Sequence, residues 1–210
     1  KKRIFNQVGK SKIKVDGQAL VTGQPVFVGD FIIPGMLWAK VLWSPHAHAR
    51  IKKIDTSKAE KLSGVVKVVT GENFKHKFGL YMTDRYVFAT DTVRFVGEQV
   101  AAVVATDPKV ALRGAAQVEV KYEELTPVLD PVKALEKNYP LVHPELKSYR
   151  HVPWFFPKPK TNIAHWRKTR KGDLAKGFKE ADLVMEDTYY VPRYAHCAIE
   201  PHCAIGLFDE

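Results

Sequence analysis

Cysteine is nearly missing from this chain. Cys197 and Cys203 are the only two in 210 residues, too few for a disulfide framework or for an iron–sulfur cluster held by four thiolates. Any such cluster would belong to a partner. Long apolar runs are also missing: none approaches the roughly 20 residues of a membrane helix. The N-terminus, Lys1-Lys2-Arg3, carries no apolar signal region, so the chain is expected to be soluble and cytoplasmic with no membrane partner. There is no glycine loop of the dinucleotide or nucleotide type and no Gly-x-Ser-x-Gly elbow, which removes the commonest self-contained active sites. Internal repeats and low-complexity tracts are absent too. Acidic residues are in deficit, 23 against 33 lysines and arginines, and the formal charge is +10.

What is present is enough for one domain, or one domain and part of another, with 45% apolar residues to build a core. The clearest pattern runs from Phe95 to Tyr122. Val100–Ala105 is an unbroken apolar run, short enough for a strand buried on both faces. It stops at Thr106-Asp107-Pro108, where Asp107 can cap a helix and Pro108 suits its first position. Val110, Ala111, Gly114, Ala115 and Val118 then share one helical face, and Lys109 and Arg113 are left for solvent. Gly114, Ala115 and Ala116 are small enough for the helix to lie close on a sheet. From Val118 the period changes to two, with Val120 and Tyr122 alternating with Glu119, Lys121 and Glu123, as in a half-buried strand. A helix joining two strands of one sheet is expected.

Around this unit, Lys1–Leu20 reads as a basic lead-in with little periodicity, and Gly23 and Gly29 mark turns. Met36–Trp43 alternates as a strand ended by Pro45, and Ala49–Ile54 resumes one. A short helix is expected over Ser57–Leu62 and a strand over Gly64–Thr70, while Glu72–Thr92 is irregular and expected to loop outward. Seven prolines between Glu124 and Pro159 forbid a long helix or central strand, which predicts an extended connection with one short helix near Val132–Lys137 and a domain boundary inside it. Beyond it, strands are expected at Asn162–Arg170, Leu183–Val191 and His202–Phe208, and a short helix over Asp173–Glu180. A chain end directly after an apolar strand suggests a fragment, or a split subunit completed by another chain.

Candidate chemistry is sparse. His46 and His48 are two apart, which on a strand puts both rings on one face, but no third ligand is near; a structural role, capping or bridging backbone groups, is the plainer reading. His196, Cys197, Glu200, His202 and Cys203 crowd into YAHCAIEPHCAIG. Those ligand types could hold zinc. The cysteines are interleaved with Ala198, Ile199, Ala204 and Ile205, however, and read better as small buried hydrophobes. Glu200 is the more interesting group, because a carboxylate inside an apolar run needs a partner or a task. Between Arg150 and Glu180 nine basic residues face only Asp173 and Glu180, a focus of +7. With Trp154, Phe155, Phe156 and Trp166 it could stack bases and hold phosphates, although a solvated basic surface over a packing linker explains it as simply.

Three stretches together resemble one family: VTGQPVFVGDFIIPGMLWAKVLWSPHAHARIKKID, RFVGEQVAAVVATDPKVALRGAAQVEVKYEELTPVLDPVKAL and GDLAKGFKEADLVMEDTYYVPRYAHCAIEPHCAIG. They look like the opening of the molybdenum-binding subunit of the xanthine dehydrogenase and aldehyde oxidase family, in order and over nearly the whole chain. The resemblance implies an α/β (α+β) fold: a lead-in at 1–19, an alpha/beta hammerhead domain over 20–135, a proline-rich linker over 136–161, and the start of a molybdopterin-binding domain over 162–210. It implies a segment or split subunit of a molybdenum hydroxylase, inactive alone, that hydroxylates an aldehyde, purine or N-heteroaromatic carbon with oxygen from water. Molybdopterin with molybdenum would be held mainly by sequence beyond residue 210, so no catalytic, cofactor-contacting or metal-ligating residue is carried over. Glu200 and His202 match the family's Glu-Pro-His-like turn, which supports the substrate and cofactor region. The expected partners are the rest of that subunit, an iron–sulfur subunit with 2Fe-2S clusters, an FAD subunit and a small-molecule substrate. The alternatives are a basic nucleic-acid-binding module and a non-catalytic assembly subunit.

Overall fold

The computed structural model describes residues 5–208 and divides into two units. One is Gly35–Ala181. The other is drawn from the described residues before Gly35 and after Ala181. Its regular structure is one short helix, α1 (Gly17–Val21), and a 3-10 turn at Val28–Asp30. The helix overlaps the end of the stretch expected to be an aperiodic lead-in, whose first four residues lie outside the described ones.

The Gly35–Ala181 unit follows the sequence pattern through its first half. Strands β1 (Trp38–Trp43) and β2 (Ala49–Asp55) precede helix α2 (Ser57–Glu60) and strand β3 (Val65–Thr70). Short strands β4 (Lys77–Phe78), β5 (Arg85–Tyr86) and β6 (Thr92–Val93) lead to β7 (Gln99–Ala105), helix α3 (Pro108–Ala115) and β8 (Glu119–Glu124). Helix α3 starts where the capping chemistry requires, with Asp107 accepting from the amides of Lys109 at 2.8 Å and Val110 at 3.2 Å. Its close seat on the sheet needs Gly114. A Cβ there would meet Cγ1 of Val103 at 2.7 Å, inside van der Waals contact.

One expectation fails at the level of pairing. Helix α3 does not join two strands of one sheet, because β7 lies in the order β1-β7-β3 and β8 in the order β6-β2-β8. Both flanks of β7 are taken by antiparallel neighbours, so β8 can add only elsewhere, and it pairs with β2. The period of two then serves two cores. Ala101 and Val103 enter a cluster with Ala59, Val68, Ala115 and Val118. Val100 enters another with Ala49, Ala89 and Val93, and Ile54 and Val120 touch both.

Residues 72–92 do not loop outward. Met82, Phe88 and Ala89 are buried, and β4 pairs with β5 as a small hairpin. The proline-rich connection folds back onto it: the Thr83 amide donates to the Arg150 carbonyl at 2.8 Å and the Val152 amide to the Tyr81 carbonyl at 3.0 Å. In place of the short helix expected near Val132–Lys137 the connection carries a 3-10 turn at Lys133–Leu135, and it carries a second at Leu146–Ser148. Met82, Leu146 and Tyr149 form a third apolar cluster, joined by Phe155.

Helix α4 (Leu174–Glu180) forms as expected, with Asp173 accepting from the Lys176 amide at 3.0 Å. The three strands expected around it do not. Asn162–Arg170, Leu183–Val191 and His202–Phe208 carry strand-like alternation, but among the described residues they have no strand to pair with. A ladder needs a second backbone, and alternation alone does not supply one.

Candidate functional site

The most constrained polar cluster is built around Arg94. Strand β6 ends at Val93, which is fully buried, and the side chain of Arg94 that follows it is only 12% exposed. A guanidinium in that position must have its donors matched, since an unpaired buried charge is costly. Nε donates to the Val142 carbonyl at 3.1 Å, Nη1 to the Thr92 carbonyl at 3.1 Å, and Nη2 to Oε1 of Glu145 at 2.8 Å. Its own amide donates to the Glu98 carboxylate at 2.5 Å. Burial nevertheless raises the pKa of Glu98 above the ordinary carboxylate range, against the opposing pull of Arg94.

The chain of contacts continues. The Tyr149 hydroxyl donates to Glu145 at 2.5 Å, and Nδ1 of His143 lies 2.8 Å from the same hydroxyl oxygen. Burial pushes Glu145 upward, but the Tyr149 hydrogen bond and the Arg94 charge outweigh it, and the net shift is downward. Burial and the neighbouring Glu145 move Tyr149 well above the usual phenol range. Burial, with Arg94 adding to it, lowers His143, so its ring is neutral near pH 7. Asn162 completes the fastening: its Nδ2 donates to the Ala134 and Pro140 carbonyls at 3.1 and 2.9 Å, and its Oδ1 accepts from the Val142 amide at 2.9 Å. Chemically the cluster is a tie between the connection and the strands. A phenol shifted that far up is neither acid nor base at neutral pH.

Glu200 and His202 belong to the other unit. Both are exposed on irregular backbone, and among the described residues neither side chain has a hydrogen bond or ion pair. Cys197 and Cys203 are free and exposed, which corrects the reading of them as buried hydrophobes. Among the described residues no group of three or more His, Cys, Asp and Glu side chains could hold a metal ion. His46 and His48 take structural places: Nδ1 of His48 lies 2.8 Å from the Thr126 carbonyl, and the His46 ring lies 4.7 Å from that of Tyr122 and 3.5 Å from Glu124.

Part of the aromatic and basic stretch packs on itself, while Trp154 and most of its basic residues stay exposed. Tyr81, Phe155 and His165 stack in sequence, with centroids 6.0 and 4.6 Å apart and ring planes within 14°. The ammonium of Lys158 lies 3.8 Å above the Trp166 ring. Sequence reading missed Arg94, His143, Glu145 and Tyr149. The available signal was the pairing of Arg94 with Glu98 next to a buried strand, together with a tyrosine and a histidine flanking Glu145.

Comparison with known proteins adds to this geometry. The family profile described as aldehyde oxidase and xanthine dehydrogenase, a/b hammerhead domain, matches residues 22–126, and that of the molybdopterin cofactor-binding domain matches 155–210. The chain is 32% identical over 207 residues to the nicotinate dehydrogenase large molybdopterin subunit of Eubacterium barkeri, covering 98% of this chain and 45% of that protein. It is 33% identical over 208 residues to the carbon monoxide dehydrogenase large chain of Afipia carboxidovorans, covering 97% of this chain and 26% of that one. A crystal structure of a Cu,Mo-CO dehydrogenase superimposes with a TM-score of 0.60 and 40% identity, over 64% of this chain and 18% of that one. The chain thus spans less than half the length of the curated relatives it matches. No helix of the described residues is long and apolar enough to cross a membrane.

Proposed function

Because the chain belongs to the aldehyde oxidase and xanthine dehydrogenase family, we propose that it is part of the molybdenum-binding subunit of a molybdenum hydroxylase. The observation that carries this reading is the order of two matches, hammerhead at 22–126 and then molybdopterin-binding domain at 155–210. The proposed reaction adds oxygen from water to an electron-poor carbon of an aldehyde, purine or N-heteroaromatic ring. One C–H bond is replaced by C–OH, and two electrons and two protons are released.

Molybdopterin-bound molybdenum would supply the two-electron oxidation and the water-derived oxygen. The residues described in this chain do not form a cradle for that group, since the side chains nearest in type, Cys197, Glu200 and His202, are exposed and unfixed. No catalytic step is assigned to them. Glu200 and His202 are proposed to lie in the substrate and cofactor region of the whole subunit, with the hammerhead spanning 20–135 and the cofactor domain beginning near 162. The proposed partners are an iron–sulfur subunit and an FAD subunit that carry the electrons away, all in the cytoplasm.

The test is turnover of the native assembly in heavy-oxygen water with an artificial electron acceptor. The reading predicts heavy oxygen in the product of an aldehyde or N-heteroaromatic substrate, together with two-electron reduction of the acceptor. Product oxygen derived from dioxygen, or no turnover with a fully metallated assembly across the three substrate classes, would contradict it.

A further inference from the structure

Beside the Arg94 cluster lies a cavity of about 240 Å³ that the tie itself does not use. Its polar lining is Asp84, His143, Thr161 and Asn162. Two of these four are already committed. Thr161 donates its hydroxyl to the Lys158 carbonyl at 2.7 Å and accepts from the Ile163 amide at 3.1 Å. Asn162 spends its amide on three backbone groups.

The remaining two groups are both acceptors. The Tyr149 hydroxyl has one hydrogen, and it goes to Glu145, so toward His143 the phenol oxygen can only accept. Nδ1 of His143 must therefore carry its hydrogen, and in the neutral ring Nε2 is left with a lone pair. Asp84 is half-buried, and among the described residues its carboxylate has no hydrogen bond or ion pair. The ammonium of Lys77 does not satisfy it. That group lies over the rings of Tyr86 and Tyr149, at 5.0 and 4.4 Å. The carboxylate is still reached by water and has no protein donor, so it is free to take one from a ligand in the cavity.

The other walls are Met82, Val142, Leu146 and Ala164. A cavity of about 150 Å³ holds a benzene ring, so this one has room for a ring bearing a short polar arm.

We propose that the cavity is a binding site for a small organic cation, a ring-sized apolar body carrying a protonated amine or amidine, with the cation on Asp84 and an N–H directed to Nε2 of His143. The site lies wholly within the Gly35–Ala181 unit and does not depend on the hydroxylase reading. A metal ion suits it less well, since Asp84 and His143 offer only two ligands.

The probes are benzylamine, benzyl alcohol and benzoate, three molecules of one shape and different charge. They are titrated into the native assembly by calorimetry, with saturation-transfer NMR to detect weak binding. A hydrogen bond to a charged group implies that benzylamine binds at least about tenfold tighter than benzyl alcohol, and benzoate is expected not to bind. Asp84→Asn should remove that tenfold preference and leave benzyl alcohol binding unchanged. The wild-type comparison needs no variant to fold. Equal binding of the three probes, no binding of benzylamine, or an amine preference that survives Asp84→Asn would each overturn the proposal.

Discussion

Val103 and Leu207 both sit in short apolar runs with strand-like spacing, yet Val103 is 0% exposed and Leu207 is 91% exposed. The run around Val103 is β7, flanked by β1 and β3 and covered by α3. The run around Leu207 has no such cover among the described residues. The contrast shows that an apolar alternation is a capacity to be buried. Burial follows only where a second backbone closes the ladder and a third element closes the face. The same contrast separates two kinds of charge. The Arg94 guanidinium is held by three groups in the packed region, whereas the pair between Lys176 and Glu180 on α4, at 3.8 Å, is free in solvent.

The sharpest way to break this comparison is to remove Arg94. Arg94→Met leaves Glu145 with the Tyr149 hydroxyl but without its cationic partner, and takes the guanidinium donors from the Val142 and Thr92 carbonyls. Breaking a buried pair costs about 3–5 kcal/mol, and because Glu145 is partly solvated the expected loss is about 2–3 kcal/mol in denaturant unfolding. Lys176→Met on α4 should change stability by less than about 0.5 kcal/mol. Next comes Gly114→Val, which drives a branched side chain into Val103. Overpacking of this kind costs about 1–3 kcal/mol, and a matching fall in melting temperature is expected.

The two helix caps give a smaller and cleaner contrast. Asp107→Ala should cost about 1 kcal/mol, because α3 is packed on both β1 and β7 and its start is coupled to the fold. Asp173→Ala removes the same kind of bond from an exposed helix and should register mainly as lost helicity of α4, with little change in the unfolding midpoint.

The smallest expected effect is on pH dependence. The folded-state pKa of His143 is lowered, so the unfolded chain takes up that proton first. The stability contribution is complete above the unfolded value, about 6.5, and is lost as pH falls through the folded value. Unfolding titrations should show the slope between those two values, and His143→Gln should remove it. Glu98, whose pKa is raised, acts with the opposite sign: its contribution is present at low pH and lost as pH rises through its folded value. It is common to both proteins, so it drops out of their difference.

Much of the packed region was legible in the sequence because its signals are local. Asp107-Pro108 announces a helix start within two residues, and the six residues of Val100–Ala105 carry their own burial. Gly114 marks a close approach that the Val103 contact explains. What escaped was non-local. The sheet that β8 joins depends on both flanks of β7 being occupied, which no property of β8 reveals. Arg94 meets Val142 and Glu145 across 48 and 51 residues, and the proline count of the connection disguised how firmly it is fastened. At the other end, Leu183–Val191 has the alternation of a strand and no ladder among the described residues. Family membership was legible throughout, because it rests on residue order and not on pairing.

The measurement that bears most directly on the proposed hydroxylase is elemental analysis of the natively purified assembly, with mass spectrometry of its chains. The account predicts molybdenum in stoichiometric amount with this chain, accompanied by iron on a separate chain or domain. A pure assembly containing this chain but neither metal, and taking up no molybdenum on reconstitution with the cofactor, would contradict it.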